Sequence, residues 1–213
     1  MHAWPLVLSA LSISRPDVHN PEPRECDAKK LQTCYDSYIT NFNLTTDPFP
    51  AFFDYMIKVG TLFRSEKVAG VRKLCEWHHG LEKCLGPQNI ETCENMPAMK
   101  YGLGISDLDA LGYDANFHTY QFLCGDGYDA FIKNFDCLMD LPGKYPKEFE
   151  ACTKIFIDEI KDGFSCKAMN DVNKCMTKVY AHCSQDIAKA ECQASNIALK
   201  SITSVCDRTL VEC

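Results

Sequence analysis

Fourteen of the 213 residues are cysteine, and that number constrains the chain more than any motif in it. They stand at Cys26, Cys34, Cys75, Cys84, Cys93, Cys124, Cys137, Cys152, Cys166, Cys175, Cys183, Cys192, Cys206 and Cys213. In a reducing compartment so many thiols would need metals or redox duties, whereas in an oxidising one an even set pairs as disulfides. The chain does not need them in place of a core, since 46% of its residues are hydrophobic and it carries 12 Phe and 9 Tyr. Disorder is excluded on the same ground. Spacing adds a geometric condition. Cys75, Cys84 and Cys93 stand nine residues apart, as do Cys166 and Cys175. Nine residues along a straight helix rise about 13 Å, while a disulfide needs Cα atoms about 4.4–6.8 Å apart. Either the helix breaks between them, as Gly80 would allow, or each cysteine is stapled to a neighbouring helix. Cross-helix staples are the better reading, because Cys34, Cys75 and Cys152 fall on core-facing positions. Each closure contributes about 2.5–4.5 kcal/mol in the chain-entropy model. Which cysteine meets which stays open, since fourteen allow about 135,000 pairings.

The first fourteen residues, MHAWPLVLSALSIS, contain no charged side chain. Ala3 to Ile13 has the length of a signal-peptide apolar region, and Ser12 and Ser14 have the spacing of a cleavage site before Arg15. The only positive charge ahead of it is the amino terminus and His2, so an apolar start to a cytosolic protein is the competing reading. The cysteine number favours secretion. Residues 1–14 are thus expected to be a signal peptide, and 15–25 (RPDVHNPEPRE, three prolines) an extended leader. Residues 26–213 form the disulfide-stapled domain. In a secreted chain Asn43-Leu44-Thr45 becomes a glycosylation acceptor. The net charge of −7 argues against a nucleic-acid partner, which needs a basic face. No uncharged apolar run reaches the length of a membrane span.

Apolar residues recur at helical spacing nearly everywhere. Leu31, Cys34, Tyr35, Tyr38, Ile39 and Phe42 share one face, and Val68, Val71, Leu74, Cys75, His78, Leu81 and Leu85 share another. So do Phe149, Cys152, Phe156, Glu159 and Ile160, and Ile187, Ala190, Ala194, Ile197, Ala198 and Val205. Breakers separate these runs at Gly86-Pro87, Met96-Pro97, Gly125-Asp126-Gly127, Pro142-Gly143 and Asp162-Gly163, and Ser184 offers a helix start. The expected fold is all-α, a single disulfide-rich bundle of seven or eight short helices. The windows CEWHHGLEKCL (75–85) and CKAMNDVNKCM (166–176) share a Cys-x8-Cys frame, each with a further cysteine beyond it, Cys93 and Cys183. Coincidence among many cysteines is the alternative. If the match is a duplication, it makes two related halves sharing one core, with a break near residues 96–112.

Glu25-Cys26 with Cys34-Tyr35, Leu74-Cys75 with Lys83-Cys84, and Phe122-Leu123-Cys124-Gly125 running into Gly127-Tyr128 form an ordered set. Phe135-Asp136-Cys137 and the cysteine ladder from Cys152 to Cys206 complete it. This pattern resembles the nematode secreted cysteine-rich family catalogued as domain of unknown function nineteen, over about residues 26–206. The resemblance implies secretion, disulfides and a helical fold, and it carries no catalytic residue or ligand. Cys213 lies beyond the resembling stretch, so its partner is the least certain.

Residue chemistry offers little towards catalysis. His78 and His79 are adjacent on a helix, so their rings point about 100° apart and cannot readily share one metal ion. The expectation is that His78 packs beside Trp77 and Leu81 while His79 is solvated. The Cys-x8-Cys spacing does not match zinc fingers. A calcium loop at Asp107-x-Asp109-x-x-Gly112 fails because Leu111 and His118 stand where oxygen ligands are needed. Gly-x-Ser-x-Gly is absent, and Gly125-Asp126-Gly127-Tyr128 lacks the Gly-Lys-Ser/Thr of a phosphate loop. It reads instead as a helix stop followed by a helix start. No catalytic residue, metal ligand or cofactor is therefore assigned. The segment from Phe49 to Phe63 is rich in aromatics, and Phe49, Phe52, Phe53, Met56 and Phe63 form a candidate face for an apolar ligand or partner. Core packing is the plainer use of such rings. The expected function is a secreted, non-enzymatic interaction or structural protein, its partner an extracellular protein or a small apolar ligand. A carrier of lipid or another apolar molecule is the alternative, and an extracellular hydrolase the weakest.

Overall fold

A computed structural model describes residues 26–160 and 165–213, apart from the side chains of residues 156, 159 and 160. The expected signal peptide 1–14, the leader 15–25 and the Asp162-Gly163 breaker lie outside the described residues. Among the described residues the fold is all-α, with nine helices rather than seven or eight. The chain divides into two compact units, residues 26–124 and residues 125–213.

The N-terminal unit holds α1 (Ala28–Thr40), α2 (Phe52–Glu66), α3 (Val68–Cys93), α4 (Met96–Leu103) and α5 (Asp107–Leu123). Asp27 starts α1 by accepting the Lys30 amide at 3.0 Å, and Ser106 starts α5 by accepting that of Asp109 at 3.1 Å, each filling a donor that the first turn leaves open. The face of α1 expected to be buried, Leu31, Cys34, Tyr35, Tyr38 and Ile39, is buried, with Phe42 just beyond it. α1 and α2 both pack on α3, and α4 packs on α1 and α5. Gly80 leaves α3 unbroken between Cys75 and Cys84. The bend comes at Gly86, whose φ of 69° is open to glycine, followed by Pro87. At Gly112 a side chain is excluded, since a Cβ there would stand 2.4 Å from the Phe52 ring. α2 and α5 meet through that contact.

The C-terminal unit holds α6 (Tyr128–Lys144), α7 (Pro146–Ile160), α8 (Cys166–Tyr180) and α9 (Gln185–Ile202). Here α8 lies against both α7 and α9. Leu141, Cys152, Val172, Met176 and Val179 form the buried cluster. Pro142 does not break α6 as expected. It stands in the last turn, near the end of the hydrogen-bond ladder, and the helix runs on to Lys144. Ser184 does start α9, accepting the Ile187 amide at 3.2 Å. Val205, expected on the buried face of α9, is 57% exposed because the helix ends at Ile202. The chain after α9 is bolted down by side-chain amides, that of Asn196 donating to the Val211 carbonyl at 2.8 Å and that of Asn170 to Thr209.

All fourteen cysteines are paired. The N-terminal unit contains Cys26–Cys93, Cys34–Cys84 and Cys75–Cys124. The C-terminal unit contains Cys137–Cys183, Cys152–Cys175, Cys166–Cys206 and Cys192–Cys213. No Cys-x8-Cys pair joins within itself, and each of those cysteines reaches another element, as helix geometry requires. The last residue, Cys213, closes on Cys192. The break expected near 96–112 falls instead between 124 and 125. Residues 96–112 hold α4 and the start of α5, which belong with the first unit because α5 delivers Cys124 to Cys75.

Candidate functional site

Most of the side chains with unusual chemistry gather inside the N-terminal unit, while Glu191 of the C-terminal unit stands apart, buried in α9 and its pKa pushed up to about 7 by that burial. Tyr35, Tyr38, Tyr55 and Tyr113 are all buried, and a run of ring contacts joins them to Phe42, Phe49, Phe52 and Trp77. Buried phenols need partners. The Tyr38 and Tyr55 hydroxyls lie 2.7 Å apart, Tyr55 donates to Asn116 Oδ1 at 3.2 Å, and Tyr113 donates to the Pro50 carbonyl at 3.1 Å. Burial raises the pKa of all three well above that of a free phenol, and pushes that of Tyr120 up to about 12. They stay neutral and donate hydrogen bonds across the physiological range.

Next to this aromatic block lie two buried acids, the buried His78 and the half-buried His118. Glu94, between the end of α3 and the start of α4, is 5% exposed, and Asp114 on α5 is 1% exposed. Tyr35 donates to Glu94 Oε2 at 2.9 Å, and among the described residues Glu94 Oε1 has no hydrogen-bond partner. His118, one turn beyond Asp114, places Nε2 3.5 Å from Asp114 Oδ1 and 3.3 Å from the Glu94 carbonyl. Burial is the main force raising the Glu94 carboxyl. The Tyr35 hydrogen bond opposes it and the neighbouring Asp114 charge adds to it. Burial also lowers His118, against the pull of its hydrogen bond to Glu94. His78 is brought down to about 3, by burial first and then by His79 and His118. Its ring packs 5.0 Å from Phe117, so it is a neutral core histidine. His79 is exposed and Trp77 half-buried.

The five residues of the candidate apolar face do not share a face. Phe52 and Phe63 are buried, Phe49 and Met56 are half-buried, and Phe53 is 55% exposed. Phe52 serves the core against Gly112, and its amide donates to Asp109 Oδ1 at 2.8 Å. Asp109, a position of the discarded calcium loop, is thus an anchor between α2 and α5. Gly125-Asp126-Gly127 separates α5 from α6, as a helix stop and start should. Asn43 is exposed, with a left-handed φ of 55° in the turn after α1. Among the described residues no group of three His, Cys, Asp or Glu is placed to hold a metal ion, and no helix is long and apolar enough to cross a membrane.

Glu94 and Asp114 belong to no motif in the sequence. A signal for Asp114 was present, since it stands three residues after Leu111 and three before Phe117 in an apolar run. That spacing puts a carboxylate on the buried face of a helix. Glu94 follows a cysteine at a helix end, where no periodicity marks the inside. The chain matches no family model, no curated protein sequence and no solved structure.

Proposed function

We propose that this chain is a secreted, non-enzymatic interaction protein whose disulfides hold its shape outside the cell. The observation that carries this reading is the complete pairing of fourteen cysteines with none left free, a state kept in oxidising compartments. The resemblance to the nematode secreted family points the same way. Tyr35 engages Glu94, His118 lies beside Asp114 and His78 packs on Phe117, an arrangement that supports a binding or structural role over a hydrolase. The commitment of Phe52 and Phe63 to the core weighs against the carrier reading. Residues 1–14 would be removed on secretion, and the exposed Asn43 would carry a glycan, its turn leaving room for one.

Expression through a eukaryotic secretory pathway tests this. The medium should contain a chain that begins near Arg15, resists thiol labelling until reduced, and loses mass to a glycosidase unless Thr45 is replaced by Ala. Labelling of several cysteines without reduction, or retention of the chain inside the cell, would overturn the proposal.

A further inference from the structure

A carboxyl group buried without a partner for one of its oxygens is costly once charged, and Glu94 is held so that it cannot escape. Cys93, the residue before it, is bonded to Cys26. Asn89 donates to the Asp27 carbonyl at 3.1 Å and tightens the same corner. Asn95, the residue after it, caps α4 by accepting the Ala98 amide at 3.0 Å. The side facing α3 is therefore fixed. α4 is the piece free to yield: it is eight residues long, carries no cysteine, and is held by Ala98, Met99 and Leu103 in the core. Its contact with α1 is close, a Cβ on Gly102 coming within 2.8 Å of Leu31.

We propose that Glu94 is a pH-sensitive latch on α4: with its proton on, α4 stays packed against α1 and α5, and ionisation at higher pH loosens α4 from them. The groups facing the carboxyl are Tyr35 from α1, which donates to it, and Asp114 from α5, whose charge opposes its ionisation. His118 from α5 meets the Glu94 backbone carbonyl and Asp114, and His78 from α3 acts on His118. Lys100, the basic residue of α4, is engaged with Asp107 at 2.9 Å. The direction follows from burial. A carboxyl that binds its proton more tightly folded than unfolded stabilises the fold in acid, and that stability drains away as pH rises above the ordinary carboxylate range towards the raised folded value. His78 and His118, both lowered, act in the opposite direction below about pH 6.5, so the latch is read from neutral pH upward.

The test is hydrogen exchange of residues 96–103 in the intact oxidised chain at pH 6.5 and pH 8.5, expressed as protection factors, for the wild type and Glu94→Gln. Glutamine keeps the shape of the protonated acid and cannot ionise. Wild-type protection of α4 should fall at least tenfold between the two pH values beyond any change in α1, while Glu94→Gln keeps it within about twofold. Equal pH dependence in both proteins, or none in either, overturns the latch. If Glu94→Gln does not fold, carboxyl carbon NMR of the wild type decides. A Glu94 resonance that titrates above pH 6.5 supports the proposal, and one that titrates at or below pH 6.5 overturns it.

Discussion

Set side by side, the two units close their cysteines in one order. In the N-terminal unit Cys26, Cys34, Cys75, Cys84, Cys93 and Cys124 pair first with fifth, second with fourth and third with sixth. In the C-terminal unit Cys137, Cys152, Cys166, Cys175, Cys183 and Cys206 do the same, with Cys192–Cys213 added. The register is the one set by the Cys-x8-Cys windows, whose first cysteine closes forward and second backward in both units. The eight cysteines of the C-terminal unit allow 105 pairings, and about 6 of them keep this order around the window with one pair left over, so agreement by chance comes about once in seventeen. The helices joined by the second-with-fourth pair also pack together in each unit, α1 with α3 and α7 with α8. Around this shared frame the interiors differ. The first unit packs tyrosines and a buried carboxyl pair and inserts α2 and α4, whereas the second packs a smaller cluster around Val172, Met176 and Val179 and bolts down its tail with an extra disulfide. The pairing order constrains topology, and the contents of each core are free to diverge within it.

Changes made at matched positions separate frame from filling. Removing the second-with-fourth pair should have the largest effects. Cys34→Ser with Cys84→Ser opens a closure of 50 residues and should cost about 4 kcal/mol, and Cys152→Ser with Cys175→Ser opens one of 23 and should cost about 3 kcal/mol. Denaturant unfolding measures both, and a reversed order would show that the core, not loop closure, governs the difference. In the filling, Met176→Ala should destabilise by about 2–4 kcal/mol through the cavity it leaves. Gly112→Ala should cost about 1–3 kcal/mol by driving a methyl into the Phe52 ring. Thermal unfolding checks both, and a neutral Gly112→Ala would mean that α2 and α5 can part at no cost. The smallest effects belong to the caps of the last helix in each unit. Ser184→Ala should cost about 1 kcal/mol. Ser106→Ala should cost somewhat more, because its hydroxyl also donates at 2.6 Å to Asp109, the anchor of Phe52.

Much of this frame was readable before the structure. The faces of α1 and of α3 from Val71 to Leu85, the start of α9 at Ser184, the inward packing of His78 and the stapling of cysteines between elements follow from helical spacing and capping chemistry. The paired windows marked the repeat. The boundary was misplaced because nothing local says that α5 must return Cys124 to Cys75, a contact spanning 49 residues. Pairing was unreadable for the same reason, since spacing excludes partners on one helix and leaves every other partner open. The aromatic segment 49–63 left core and ligand face both open because helical spacing does not reveal which rings turn inward, and Phe52 and Phe53 part company between neighbouring positions. Glu94 was missed because a polar residue at a helix end ordinarily faces water.

The central claim is that two separately closed units repeat one pairing order, and peptide mapping of the oxidised protein under non-reducing conditions tests it most directly. The linked peptides should join Cys26 to Cys93, Cys34 to Cys84 and Cys75 to Cys124, and likewise Cys137 to Cys183, Cys152 to Cys175 and Cys166 to Cys206. A single abundant linked peptide joining a cysteine at or before 124 to one after it would contradict the claim.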